Sequence, residues 1–381
     1  MARPLGRVLG ALLSVSLLVV AGYYWYTYRD INNNVPRLNG LQVNQAPSGG
    51  TGDIDGKDQN ILLVGNDDRS NMTKAEIRTL HASESSGSLA TDTLIIIHVP
   101  ANGSRATLIS VPRDSYVNIK GFGMGKVNGA YADAYYNGPG ITDSSTLDQR
   151  RTAGANLLVN TLQDLTGLTI NHYVQIDLLG FYRISNAIGG VPVNLCRAVD
   201  DSRAANQAAG LSGGSGLVLS AGKHSIQGVQ ALEFVRQRHF LPRGDLDRVR
   251  RQQYFLTAAF RKVASVGILF KLRSLGDAVE KSVYLDPTLD LTDLGRQLQN
   301  LSANNIISKT IPTKDAYLDD GTSILEVSPS KVKTFIDKLI SPTPATPPTS
   351  GSTSTSPSAG SSTSPSATST APAPIDSKCI N

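Results

Sequence analysis

The sequence predicts an α/β protein: a three-layer α-β-α sandwich around a central mixed sheet, preceded by one N-terminal transmembrane helix. Three observations predict it. Short apolar, β-branched runs recur through the middle of the chain, helix-period stripes separate them, and residues 8–28 carry no charge. The division that follows is a cytoplasmic stub and membrane helix (1–28), a linker (29–56), one folded domain (57–340) and a tail (341–381).

The uncharged stretch is long enough to cross a hydrocarbon core of about 30 Å as a helix. Arg3 and Arg7 precede it, whereas Arg29 and Asp30 cancel behind it. The positive-inside rule therefore keeps the first residues in the cytoplasm and sends about 350 residues outward. "YYWYTY" (23–28) puts aromatic rings at the outer interface, where they prefer to sit. A cleaved signal peptide is the alternative, since Val19 and Ala21 resemble a small-residue cleavage pattern. The aromatic belt and the length favour an uncleaved, single-pass anchor in the cell membrane, with the folded domain extracytoplasmic.

In the folded part, "ILLVG" (61–65), "TLIIIHV" (93–99), "ATLISV" (106–111), "HYVQID" (172–177) and "VPVNL" (191–195) read as strands. "TLIIIHV" is apolar on both faces, as a central strand covered by helices on each side should be. Residues 152–166 place Leu158, Leu162 and Leu165 on one helical stripe, and Gly167 ends it. "QGVQALEFVRQR" (227–238) is a second helix. A third starts near Asp245 with Leu246, Val249, Gln253, Leu256, Phe260 and Val263 on one face, and residues 331–339 form a last one before Pro342. The tail is almost entirely Ser, Thr, Pro, Ala and Gly, too poor in apolar surface to offset its ordering entropy, so it is expected to be disordered. Cys196 and Cys379 are permitted to pair in an oxidising compartment, but their distance in sequence leaves pairing open. Two Cys and five scattered His provide no metal framework of the Cys/His kind.

Charge is concentrated. Between Arg236 and Arg251 there are six arginines and two aspartates, a local +4 in a chain whose formal net charge is +5. Arg236 and Arg238 fall at the end of one helix, where cations suit the dipole. Arg248 and Gln252 are four apart and share a face near the start of the next, an end whose backbone N–H groups suit phosphate. A solvated basic loop is the plain alternative. Nucleic acid is the default partner of a basic patch but is disfavoured by the outward topology, which leaves lipid head groups, anionic glycans and polyprenyl (pyro)phosphates. A pyrophosphate calls for several converging fork-shaped donors. Three strand ends add to the set: "VGNDDRS" with Asp67, Asp68 and Arg69, "TDTLIII" with Asp92, and "SVPRDSYV" with Arg113 and Asp114. Open α/β sheets place ligands at such ends, and acids there coexist with phosphate when they hold a hard dication such as Mg²⁺. "GFGMGKVNG" (121–129) fails the Walker spacing, because Lys120 and Val127 stand where Gly and Ser or Thr are needed. It reads as a flexible loop, with Lys126 a candidate phosphate contact.

The order "NILLVGNDDR … TDTLIIIHV … LISVPRDSYV … KVNGAYA … HYVQIDLLGFYRISNAIGGVPV … GVQALEFVRQRH … GDLDRVRRQQ" resembles the LytR-CpsA-Psr family of cell-wall glycopolymer transferases, in its actinobacterial form. The resemblance runs from about Asn60 to Phe255. It implies a phosphotransferase that moves a glycopolymer from a polyprenyl pyrophosphate carrier onto peptidoglycan, with Mg²⁺ or Mn²⁺ assisting. By the same resemblance, Arg113, Arg236, Arg238, Arg248 and Gln252 grip the pyrophosphate. Asp92, with Asp67 or Asp68, holds the metal. Asp114 is either a general base or the salt-bridge partner of Arg113. Val174, Ile176, Leu179 and Phe181 are candidate lining for the lipid chain, most of them equally suited to ordinary core. One departure is Asn186, where the family has Asp: Asn serves if the residue only braces a turn, but weakens ligand grip if it orients an arginine. A hydrolase that cleaves the pyrophosphate without an acceptor and a non-catalytic wall protein that binds anionic glycan or lipid remain as alternatives. The polymer transferred is not legible.

Overall fold

The computed structural model describes residues 26, 29, 34–43, 58–70, 72–80, 87–101, 105–265, 282–290, 305–341 and 379–381. Nearly all of the expected membrane span and of the tail lies outside these residues. Among the described ones, no helix is long and apolar enough to cross a membrane.

The first half of the domain comprises β1 (Gln59–Asp68), α1 (Lys74–Thr79), β2 (Gly87–Val99), β3 (Ala106–Ser110), β4 (Ser115–Ile119), β5 (Gly123–Lys126), α2 (Gly129–Asn137) and α3 (Leu147–Thr166). There follow β6 (His172–Ile176), α4 (Leu178–Ala187), β7 (Val191–Leu195), β8 (Val199–Asp200), α5 (Arg203–Ala208), β9 (Val218–Leu219) and β10 (Gly222–Ile226). The last described elements are α6 (Gly228–Arg236), α7 (Asp245–Ser265), β11 (Val283–Leu285), β12 (Ile306–Thr310), β13 (Lys314–Tyr317), β14 (Ser323–Glu326) and α8 (Pro329–Ile340).

A six-stranded sheet in the order β11-β6-β1-β2-β3-β12 forms the centre. It is mixed: β1 runs parallel to β6 and antiparallel to β2, and β3 runs parallel to β12. Both faces are apolar. Leu62, Val64, Leu94, Ile96 and Ile109 face Leu158, Leu162 and Tyr131 of α3 and α2, with Val332 and Ile336 of α8. Ile61, Ile95, Ile97 and Leu108 pack on the other side with Leu256 and Phe260 of α7. The contact between α2 and α3 is close enough that a Cβ on Gly154 would lie 2.7 Å from the Tyr131 carbonyl oxygen.

Helix α3 starts five residues earlier than its apolar stripe suggests. A capping box, Thr146 with Gln149, fixes its first turn, and that turn carries no apolar stripe to read. Gly167 ends the helix in the left-handed region. The expected flexible loop at 121–129 is instead built around a hairpin: β4 pairs antiparallel with β5, and Gly121 and Gly123 take φ of +87° and +86° at the turn. Cys196 and Cys379 form a disulfide, so the end of the chain returns to the domain beside β7.

Candidate functional site

The site grows from the carboxyl end of β1. The β1–β2 register shifts on either side of Asn66, a bulge-like irregularity of the kind that re-aims side chains at strand ends. Successive strand residues point to opposite faces, and the two aspartates that follow are separated by this rule. Asp67 lines a cavity on the α6/α7 side. Asp68 is buried toward α3, where Arg151 Nη2 donates to its Oδ2 at 3.3 Å and the Ser70 amide donates to its Oδ1 at 2.9 Å. Arg69 donates through Nε to Asp67 Oδ1 at 2.8 Å and pairs with the other oxygen through Nη2.

The adjacent strand ends form a chain of ion pairs. Arg113 donates from Nη1 to Asp92 Oδ1 at 2.8 Å, and its Nε lies 3.4 Å from Asp114 Oδ2. Lys126 Nζ reaches Asp114 Oδ1 at 2.8 Å. Asp114 is thus held between two cations beside the cavity.

Two helices make the opposite wall. Leu232, Val235 and Arg236 come from α6; Gln252 and Leu256 come from α7. Gln252 Nε2 donates to the Val235 carbonyl at 3.2 Å and so fastens one helix to the other. Ile176, Leu178 and Phe181 complete an apolar interior of about 160 Å³ whose polar mouth carries Asp67, Asp92, Arg236 and Gln252. A hollow of about 30 Å³ adjoins it, shares Asp92 and Gln252, and adds Arg113 and Arg248.

Burial shapes the charges. Arg236 is exposed by surface area, yet desolvation is the first cause lowering its pKa; Asp67 opposes the shift, and Arg69 and Arg238 add to it. These four groups therefore share one local field. Asp177 caps α4 by accepting from the Gly180 amide at 2.7 Å and also lines the cavity. Burial pushes its carboxyl up to about 7, with the Gly180 hydrogen bond pulling down and Asp68 pushing further up.

The cavity and its hollow thus gather Asp67, Asp92, Arg113, Arg236, Arg248, Gln252, Ile176 and Phe181. Arg69 touches the site through Asp67, and Arg238, just past the end of α6, interacts with Arg236. Asp114 and Lys126 stand behind Arg113. Asp68, Val174 and Leu179 are not in the lining: Asp68 belongs to Arg151, Val174 packs against Val283 and Leu285, and Leu179 joins Leu80 and Leu232. Arg243 donates to Asp247 and does not reach the cavity. Asn186 abuts Gly228 at the start of α6, where a Cβ on the glycine would lie 2.9 Å from Asn186 Oδ1; it sits at the junction of two helices. Asp177 was missed. Its position before "LLGFYRIS" signals a helix cap, but nothing local signals that the cap faces a cavity.

An apolar cavity rimmed by arginines and carboxylates at the strand ends of a mixed sheet defines an α/β protein equipped for an anionic head group on an apolar body. The chain belongs to the LytR_cpsA_psr family, whose profile matches residues 28–341. It is 35% identical over 362 residues to the cell wall biosynthesis protein LcpA of Corynebacterium glutamicum, covering 89% of this chain and 66% of that relative, just under two thirds of its length. It is 30% identical over 306 residues to the polyisoprenyl-teichoic acid–peptidoglycan teichoic acid transferase TagU of Oceanobacillus iheyensis, covering 80% of this chain and 83% of the relative. The fold matches the structure of TagT bound to LI-WTA with a TM-score of 0.55 at 21% identity, over 80% of this chain and 97% of the other.

Proposed function

We propose that the protein is a membrane-anchored, extracytoplasmic phosphotransferase that moves a glycopolymer from a polyprenyl pyrophosphate carrier onto peptidoglycan. One observation carries this reading: donors from separate strand ends and two helices line an apolar cavity and the small hollow that adjoins it. The names of the relatives LcpA and TagU support it. The Cys196–Cys379 disulfide supports an oxidising compartment, and the uncharged stretch at 8–28 supports an anchor.

In this reading the first isoprenoid units enter beside Phe181, Leu232 and Leu256, since about 160 Å³ holds only the head end of a long lipid. The diphosphate lies at the mouth. Arg113, Arg236 and Arg248 take the charge that builds on the leaving phosphate, and Gln252, tethered to Val235, orients it. A sugar hydroxyl of peptidoglycan attacks the phosphorus proximal to the glycan. The new P–O bond forms as the bond to the bridging oxygen breaks; polyprenyl phosphate departs with that electron pair, and the hydroxyl proton passes to solvent. Asp114, held by Arg113 and Lys126, keeps Arg113 in place and is not the base.

Asp67 and Asp92 would hold a Mg²⁺ or Mn²⁺ ion: both carboxylates line the same cavity, and one or two carboxylates are the usual protein contribution to such a hard dication. Among the described residues no three His, Cys, Asp or Glu form a cage by themselves. When bound, the dication would neutralise charge on the transferring phosphate. Asp68, buried outside the cavity lining against Arg151, is not a ligand.

The test uses the full chain, a lipid pyrophosphate-linked glycan, peptidoglycan and Mg²⁺. Wild type should yield covalently linked product. Arg236→Ala and Arg248→Ala should each lose about 100-fold or more, the scale of a lost transition-state donor, while Arg243→Ala stays within a few-fold of wild type. Release of phosphorylated glycan without linkage would make the protein a hydrolase. No turnover in wild type would make it a binding protein, and equal losses for Arg243→Ala and Arg248→Ala would sink the face assignment.

A further inference from the structure

Arg251 lies between two site residues of α7 but points away from the cavity. It is 1% exposed, and its guanidinium stands 4.9 Å from the centroid of the Phe234 ring. Its Nη1 donates to Gln237 Oε1, and its Nε donates to the main-chain oxygen of Asn381 at 2.7 Å. Gln237 is the C-cap of α6, itself buried, and separates Arg236 from Arg238. One guanidinium thus joins the helix that carries Arg248 and Gln252 to the turn that carries the other two arginines.

The third leg of this joint comes from the far end of the sequence. The Ile380 amide donates to the Asn194 carbonyl at 2.7 Å, and the Cys196 amide donates to the Ile380 carbonyl at 2.9 Å, a parallel bridge beside β7. Ile380 packs into the cluster that contains Phe234, Val235 and Phe255. The disulfide to Cys196, 183 residues earlier, fixes the segment there. Without residues 379–381, Arg251 keeps a buried charge but loses an acceptor, a costly combination. Burial already pushes its pKa down to about 10, opposed by Asp247 and Asp201.

We propose that residues 379–381 latch the arginine-bearing helix pair, and that Arg251 is the positioning residue through which the Cys196–Cys379 disulfide sets the spacing of Arg236 and Arg248. The ligand side of this inference rests on the function proposed above; the mechanical side does not.

Two readouts separate them. The full chain, oxidised and then reversibly reduced, is followed by amide hydrogen exchange and by titration with farnesyl pyrophosphate; Cys379→Ser, Arg251→Lys and Arg251→Met are treated likewise. Reduction and Cys379→Ser should speed exchange in residues 234–252 while α3 keeps its protection. They should also weaken farnesyl pyrophosphate binding by about tenfold, and Arg251→Lys should retain more affinity than Arg251→Met. Faster exchange at 234–252 in a wild type that binds no farnesyl pyrophosphate would uphold the latch and remove the functional reading beneath it. Unchanged exchange at 234–252, or equal loss of protection in α3, would overturn the latch; the second result would make the disulfide a general staple of the domain.

Discussion

Replacing Asp177 by Asn should stabilise the protein, and by an amount that grows with pH. Asp177 is 5% exposed and its carboxyl is pushed up to about 7, whereas in the unfolded chain it titrates near the ordinary value of about 3.9. Between those values the folded state holds a proton that the unfolded state has released. Stability therefore falls as pH rises from about 4 to 7, by about 1.4 kcal/mol per unit, and the full cost of roughly 4 kcal/mol is reached above 7. Asn keeps the cap, because its side-chain oxygen can accept from the Gly180 amide as Asp does, and it has no charge to desolvate. The variant should match wild type below pH 4 and gain about 1.5 kcal/mol at pH 5, rising to roughly 4 at pH 8. Urea unfolding at a series of pH values, with EDTA present to exclude divalent cations, measures the difference directly. A gain that does not vary with pH would refute the argument, since it would show that the carboxyl titrates alike in both states. A loss at every pH would show that the cap depends on the charge.

Two further outcomes follow from the packing. Arg151→Met should cost about 3–5 kcal/mol, because it strands the buried Asp68 carboxylate; adding Asp68→Asn should recover part of that loss, and a double-mutant cycle by denaturation checks it. Phe181→Trp should narrow the cavity, where Phe181 meets Phe255 at a centroid distance of 5.0 Å. It should cost about 1–3 kcal/mol in stability and weaken binding of a prenyl pyrophosphate more than that of inorganic pyrophosphate in parallel titrations; equal weakening of both would place the lipid elsewhere.

Much of this arrangement was legible from pattern alone. "TLIIIHV" announced a strand covered on both faces, and the structure packs Leu94 and Ile96 on one side and Ile95 and Ile97 on the other. The four-residue spacing of Arg248 and Gln252 put them on one helical face, and both line the hollow beside Asp92. What escaped was one local signal and whatever depends on distant segments. The start of α3 rests on a capping box before the stripe. Arg251 looks like one more surface cation in "DRVRRQQ" until residues 379–381 return to cover it. The disulfide was undecidable for the same reason, since sequence separation says nothing of whether an intervening stretch brings its ends together.

The choice between Asp67 and Asp68 shows where such reading stops. A strand with one wet face declares its orientation, because polar and apolar residues alternate along it. β1 has no face marked by polar residues before its end: Ile61 and Leu62 are both buried, against different layers. The alternation is present in the geometry but absent from the residue types, so either aspartate can be assigned to either side. Only the pairing register with β2, and its shift around Asn66, decides that Asp67 meets the cavity while Asp68 meets Arg151. The feature that makes β1 a good central strand, apolar surface on both sides, is thus the one that conceals which of its terminal carboxylates meets the cavity and which holds the core.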